Sequence, residues 1–250
     1  MSGFDTAADA VRTLAGKDPS PFTSAVIVAA GNSTRMGSKG SKTLLKLHGV
    51  PVLARTLLAF EKTPNIAEIL VVARAEDVET VYELAEAYGI RKLKLVTHGG
   101  ATRARSVAAG FAKISPKAKY VAIHDGARCL ISPADITKIL RAAYRHRAAS
   151  AATPVTDTVK IANKRGFIES TADRNKVFLV QTPQVFYADL YRAALATLSD
   201  IDELTDDNQL MEKLGHPVKL VDVGQDNIKL THPQDIDKAE FIISKREGKP

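Results

Sequence analysis

Short apolar runs rich in β-branched residues recur along this chain, separated by longer stretches of helical period, and that alternation leaves few folds open to it. Ala25–Ala30, Ile69–Ala73, Lys94–Thr97 and Tyr120–His124 are apolar enough to be covered on both faces, as strands of a parallel sheet are. The gaps read as helices. Pro51 opens one as its first residue, Glu76–Tyr88 forms another that stops at Gly89, and Thr102–Lys113 and Pro133–Arg147 follow. Such βαβ units predict an α/β fold: a single Rossmann-like domain over residues 23–250, with a mostly parallel twisted sheet and helices on both faces.

Composition narrows the setting. A chain of 250 residues, 45% hydrophobic and 25% charged, can bury a core without disulfides or structural metals. The single cysteine, Cys129, has no partner for an internal bridge, which suits a cytoplasmic protein. No apolar run reaches the roughly 18 residues a membrane span needs, and Asp5 and Asp9 precede any apolar stretch, unlike a secretory leader. Residues 1–22 read as a mobile extension ahead of the fold. The net charge of +7 favours anionic partners. Because the basic residues are scattered, without interleaved aromatics and without tryptophan, phosphorylated metabolites are expected rather than nucleic acid or a membrane.

After Arg147 the period changes. Ser150–Ile161 reads as a strand, Lys164-Arg165-Gly166 as a turn, and Phe167–Thr171 as a returning strand, so residues of about 153–176 form an arm projecting from the sheet. An isolated two-stranded ribbon is marginally stable, so a second copy of the chain is the expected cover and a homodimer the expected assembly. A strand at Val177–Thr182, helices near Tyr187–Leu198 and Thr205–Leu214, a strand at Val218–Val223 and a helix from Pro233 complete the chain.

Three segments carry the chemistry. The first strand runs into Ala29-Ala30-Gly31-Asn32-Ser33-Thr34-Arg35, whose small residues let backbone N–H groups approach a ligand at the carboxyl edge of the sheet. Neither the dinucleotide fingerprint nor the P-loop pattern is present there. Arg35 and Lys42 instead supply fixed cations for phosphate oxygens. Asp125, at the end of a buried strand beside Gly126 and Arg128, suits Mg²⁺, which takes one or two carboxylates together with substrate phosphates. Gly99, Gly100 and Ser106 open a helix where a flat base could lie on backbone and have its edge read. His124 reads as a packed side chain rather than a metal ligand, and Cys129 as a buried small residue rather than a nucleophile.

Taken in order, these segments resemble the 2-C-methyl-D-erythritol 4-phosphate cytidylyltransferases, within the wider sugar-phosphate nucleotidyltransferases. The resemblance runs from about Ala25 to Ile243. It rests on the Ala-Ala-Gly loop with Arg35-Met36, His124-Asp125-Gly126-Ala127-Arg128, Pro154-Val155-Thr156-Asp157-Thr158-Val159-Lys160, Asp173-Arg174-Asn175, Gln181-Thr182-Pro183-Gln184, Thr205-Asp206-Asp207 and Asn227-Ile228-Lys229. It implies CTP bound over Ala29, Ala30 and Gly31, with cytosine near Gly99, Gly100 and Ser106. Arg35 and Lys42 would grip the triphosphate, and Asp125 would hold Mg²⁺. Arg174, Thr182, Thr205 and Lys229 match the acceptor positions, Arg174 reaching in on the arm of the partner subunit. The implied catalytic set is Arg35, Lys42, Lys229 and Arg174, acting on CTP and a polyol phosphate.

This chain departs from the family pattern at Ser33, Ser41, Thr43, Gly126 and Cys129, where the family usually has glycine, proline, glutamine, alanine and proline. None of these removes a charged participant, but a less rigid loop around Lys42 is expected. Ribitol 5-phosphate cytidylyltransferases share most of these motifs, so ribitol 5-phosphate is the alternative acceptor. A non-catalytic nucleotide-binding homologue is the alternative of a different class, and Asp226 is the next candidate for a metal carboxylate.

Overall fold

The computed structural model describes residues 21–31, 41–197 and 201–248. Its central sheet has seven strands in the order β11-β7-β10-β6-β1-β4-β5. They are β1 (Thr23–Val28), β4 (Glu68–Ala73), β5 (Leu93–His98), β6 (Tyr120–Asp125), β7 (Ala148–Pro154), β10 (Phe178–Tyr187) and β11 (Lys219–Asp222). All neighbours run parallel except β10, which lies antiparallel between β6 and β7. Two short ribbons stand apart from it: β2 (Lys46–Leu47) with β3 (Val50–Pro51), and β8 (Lys160–Ala162) with β9 (Ile168–Thr171).

Strand periodicity distributes the core to both faces. Along β1 and the residue after it, Ala25, Ile27 and Ala29 join one apolar cluster while Val26 joins the other. Helices α1 (Val52–Glu61), α2 (Val78–Ala87) and α4 (Pro133–His146) cover the first face. The opposite face is covered by α3 (Arg103–Phe111), α5 (Ala188–Thr197) and α6 (Asn208–Lys213). A third cluster joins α7 (Gln234–Glu247) to Leu47, Val52 and Leu130. Side-chain caps set some of these ends: Ser132 Oγ accepts from the Asp135 N–H at the start of α4, and Thr102 Oγ1 does the same for Arg105 at the start of α3. Gly110 lets α3 press onto the sheet, because a Cβ there would stand 2.6 Å from Val26 Cγ1 and 2.7 Å from Val72 Cγ2.

The expected single α/β domain is present, with local corrections. Pro51 caps α1 one residue outside it rather than opening it. The expected strand Ser150–Ile161 is two strands: β7 begins at Ala148 and ends at Pro154, and β8 starts at Lys160. Four fully buried alanines, Ala148, Ala149, Ala151 and Ala152, build β7 where helices crowd the sheet, so the segment lacks the β-branched character that marks other strands. β10 runs on to Tyr187 instead of stopping at Thr182, with a register shift between Val180 and Gln184 that accommodates Pro183. The Phe22 carbonyl accepts from the Lys119 N–H at 2.8 Å, so the fold begins before Thr23; residues 1–20 of the expected extension lie outside the described residues.

Residues 155–177, between β7 and β10, carry the β8–β9 ribbon within the stretch of about 153–176 where an arm is expected. The ribbon turns at Gly166, whose φ of +82° glycine tolerates. It presents an apolar surface: Phe167 and Ile168 are 67% and 66% exposed, and Ile161 is also exposed.

Candidate active site

The carboxyl ends of β1, β5 and β6 open into two adjoining cavities. The first, about 330 Å³, is walled by Ala29, Ala30, Gly31, Lys42, Gly100 and Ser106. The second, about 280 Å³, is walled by Arg128, Gln181, Thr182, Thr205 and Asp206. Arg103, Asp125 and Lys229 line both and form the partition between them.

Asp125 ends β6 and is 6% exposed. Lys229 Nζ lies 2.8 Å from its Oδ2, and Arg103 Nε donates to its Oδ1 at 3.2 Å. Arg128 Nε stands 3.8 Å away and, although buried, has no hydrogen-bond partner. Burial raises the Asp125 pKa, but Arg103, then Lys229, outweigh it and hold the carboxyl well below the usual carboxylate range. Arg103 is itself fixed from behind: its Nη1 donates to Asp207 Oδ2 at 2.7 Å, and the Tyr191 hydroxyl donates to Asp207 Oδ1 at 2.7 Å. Burial works against the Arg103 charge, and Asp207 and Asp125 reverse this and raise its pKa. With Lys42 added, cations outnumber carboxylates around the partition, which suits a chain of phosphates.

The glycine segment packs the loops that frame the first cavity. A Cβ on Gly99 would stand 2.4 Å from Ala30 Cβ and 2.9 Å from Ser106 Oγ, and one on Gly100 would stand 2.5 Å from Arg105 Cβ. These glycines let the loop after β5 pack against the loop after β1. Ser106 Oγ accepts from the Gly100 N–H at 3.0 Å and donates to the Thr102 carbonyl at 2.9 Å, so its proton is used inside the loop. Ser106 and Gly100 line the first cavity and Gly99 stands behind it. Gly99→Ala is expected to push Ala30 into the cavity, raising KM for the substrate held there and destabilising the fold by about 1–3 kcal/mol, as overpacking does. Steady-state kinetics and thermal unfolding measure both.

The remaining sequence candidates divide. Thr182, Thr205 and Lys229 come together in the second cavity, and Lys42 and Asp125 meet at the first. Arg174 is exposed on the arm and lines neither cavity; its Nη1 reaches the Thr156 carbonyl at 3.4 Å. Arg35 lies outside the described residues. Asp226 pairs with Arg246 at 3.1 Å and is not part of either wall. His124 is fully buried, with its pKa lowered to about 4 chiefly by burial, in keeping with a packed side chain. Cys129 is buried, and burial raises its thiol to about 11, so it is no nucleophile.

The family model for 2-C-methyl-D-erythritol 4-phosphate cytidylyltransferase matches residues 23–245, nearly the whole described fold. The chain belongs to that family. A cytidylyltransferase of this name from Pelotomaculum thermopropionicum is 40% identical over 227 residues, covering 90% of this chain and 95% of the relative. One from Microcystis aeruginosa is 40% identical over 222 residues, covering 88% and 98%. Among solved structures, a 4-diphosphocytidyl-2C-methyl-D-erythritol synthase from Anaerococcus prevotii superposes with a TM-score of 0.81 at 31% identity, covering 90% of this chain and 97% of that one. The 2-C-methyl-D-erythritol 4-phosphate cytidylyltransferase from Thermus thermophilus gives 0.69 at 33% identity, covering 88% and 98%.

In this cytidylyltransferase the residue that sequence reading passes over is Arg103. It is the first residue of α3, with no acidic residue in the first turn, although a helix N-terminus disfavours a cation. That mismatch was the available signal, since it calls for carboxylates from elsewhere, and Asp125 and Asp207 supply them. No cluster of three metal-ligating side chains exists among the described residues. The donor set suits an ion that arrives with its substrate: Asp125 offers one carboxylate at the partition, and Mg²⁺ takes its other ligands from phosphates and water.

Proposed function

We propose that this cytidylyltransferase transfers the cytidylyl group of CTP to 2-C-methyl-D-erythritol 4-phosphate, giving CDP-methylerythritol and pyrophosphate. The observation that carries this reading is the partition of Arg103, Asp125 and Lys229 between two cavities, a place where donor and acceptor phosphates can meet. CTP occupies the first cavity, its triphosphate over Ala29, Ala30 and Gly31 and against Lys42, with Arg35 completing the grip. The acceptor occupies the second, beside Thr182, Thr205 and Lys229. An acceptor phosphate oxygen attacks the α-phosphorus of CTP, the bond to the bridging oxygen breaks, and pyrophosphate leaves with that electron pair.

Charge neutralisation and alignment are what such a transfer requires of a protein. A phosphate monoester at neutral pH is largely dianionic, its second pKa being about 6, so no general base is needed. Lys229 holds the attacking phosphate against the partition while Lys42 faces the leaving phosphates. Asp125 holds Mg²⁺, which when bound adds positive charge to the triphosphate. An enzyme using CTP in this way suits the cytoplasm, and no described helix is long and apolar enough to cross a membrane.

The arm completes the site in a homodimer. Arg174 stands outside the cavities of its own chain, and the ribbon just before it exposes Phe167 and Ile168 as though for a partner. Lys42→Ala and Arg174→Ala, each inactive alone, are therefore expected to regain part of the wild-type turnover when refolded together, because some mixed dimers hold one intact site. Absence of any regain would place Arg174 in its own subunit's site or outside catalysis.

An acceptor panel tests the reaction itself. With CTP and Mg²⁺, pyrophosphate release is expected with methylerythritol phosphate and at most weakly with ribitol 5-phosphate. Release with ribitol 5-phosphate alone would change the acceptor; release with neither would leave a nucleotide-binding protein without this activity.

A further inference from the structure

Arg128 and Lys229 stand on two segments, one leaving β6 and the other leading into α7, and α7 is the common backing of both. It contributes Ala239 and Ile243 to the apolar cluster that also holds Ala127, Leu130 and Leu230. The two segments are stitched together directly. The Leu230 N–H donates to the Ala127 carbonyl at 2.9 Å, and Arg128 Nη1 donates to the Asn227 carbonyl at 2.8 Å. A third stitch comes from Arg246, in the last turn of α7. Its Nη1 donates to the Leu130 carbonyl at 2.7 Å and its Nη2 donates to Asp226 Oδ2 at 3.1 Å. One guanidinium therefore bridges a residue just past Arg128 and a residue just before Lys229. The far end of the second segment is held as well, since Asp235 Oδ2 accepts from the Thr231 and His232 N–H groups at 2.7 and 2.8 Å.

We infer that Arg246 is a positioning residue for Lys229: its two-armed hold on Leu130 and Asp226 sets the spacing of the two segments and so places the ammonium at the partition. Arg246 lines neither cavity and acts only through the segments it joins. The exposed pair with Asp226 would contribute little by itself. The other arm ends on the carbonyl of Leu130, which is buried, and a planar fork that serves two acceptors at once fixes their separation. The Lys229 Nζ contact with Asp125 Oδ2, at 2.8 Å, is short enough for a small change in that spacing to matter, because displacement of a reacting group by about 1 Å can cost 10²-fold in rate. Asp226, which the sequence offers as a further metal carboxylate, serves here as the anchor of the fork. The inference rests on the proposed reaction for the task of Lys229, whereas the hold itself does not.

Hydrogen exchange in the ligand-free protein tests the hold. Arg246→Met keeps the length and apolar stem of the side chain and removes both arms. It is expected to speed exchange of the Leu230 amide about tenfold, the worth of one hydrogen bond, while amides of β1 and β4 exchange as in wild type. A Leu230 amide that exchanges at the wild-type rate would overturn the inference whatever the enzyme's activity. Kinetics then test the positioning. Arg246→Met is expected to lower kcat for pyrophosphate release roughly threefold to tenfold with KM for CTP within about twofold, because the loops after β1 and β5 that wall the first cavity are not joined by Arg246. Arg246→Lys should recover little, since one ammonium cannot span both acceptors. A wild-type kcat, or a KM for CTP that rises in step with the loss of kcat, would show that Arg246 does not place Lys229. Wild-type inactivity would defeat the proposed reaction and leave the exchange result to decide the hold.

Discussion

Lys229→Ala is expected to lower kcat for cytidylyl transfer by about 10²–10³, the cost of removing one preorganised charge from the site of bond formation. Lys229 belongs to both cavities, and its Nζ stands 2.8 Å from Asp125 Oδ2, so one ammonium group serves the partition that donor and acceptor phosphates would share. Its loss leaves Arg103 to balance Asp125, and among the described residues that wall the second cavity the remaining cation is Arg128, whose Nη1 is held by the Asn227 carbonyl at 2.8 Å. Lys229→Arg should recover little, because a planar fork cannot occupy the place of a compact ammonium pressed against a buried carboxylate. Turnover within about threefold of wild type would remove Lys229 from the catalytic set.

Lys42→Ala should cost turnover comparably, about 10²–10³, while affecting the leaving-group side. Lys42 opens a short 3₁₀ turn, Lys42–Leu44, at the wall of the first cavity. Ser41 and Thr43 flank it in place of the proline and glutamine usual in the family, which from sequence predicted a looser loop. Both side chains are buried, and their hydroxyls are 2.7 Å apart. The hydrogen bond between them holds the turn where a proline ring would otherwise stiffen it. Measured with a poorer leaving group, such as a β,γ-methylene analogue of CTP, the Lys42→Ala defect should change in size while that of Lys229→Ala stays constant. Equal responses would mean that the two lysines do not divide between leaving and attacking phosphates.

Much of this fold was legible because buried parallel strands must be apolar on both faces, and β1, β4 and β6 were found on that basis within about two residues. Asp125 was legible for the complementary reason: a carboxylate at the end of such a strand needs partners. What escaped depends on contacts distant in sequence. Ala148 and Ala149 lie ahead of the strand expected from Ser150, because alanine carries none of the β-branched signal that marks the other strands. The strand expected over Val177–Thr182 takes in Gln181 and Thr182 but stops short of Gln184, yet all three lie in β10. There the Asp207 N–H donates to Gln184 Oε1 at 2.9 Å, and Asn227 Nδ2 donates to Gln181 Oε1 at 2.8 Å. Arg103 became a site residue only when α3 was set beside Asp125 and Asp207, which are 22 and 104 positions away. The glycines after β5 also have a packing role that the sequence did not show, since they admit Ala30 and Arg105 beside the first cavity.

A crystal structure of the enzyme with CTP and Mg²⁺ tests the central claim most directly. The triphosphate should lie between Ala29–Gly31 and Lys42, with the α-phosphorus at the partition formed by Arg103, Asp125 and Lys229. A triphosphate seated elsewhere on the protein, for instance in the basic groove beside Lys138, Arg141 and Arg145 on α4, would contradict it.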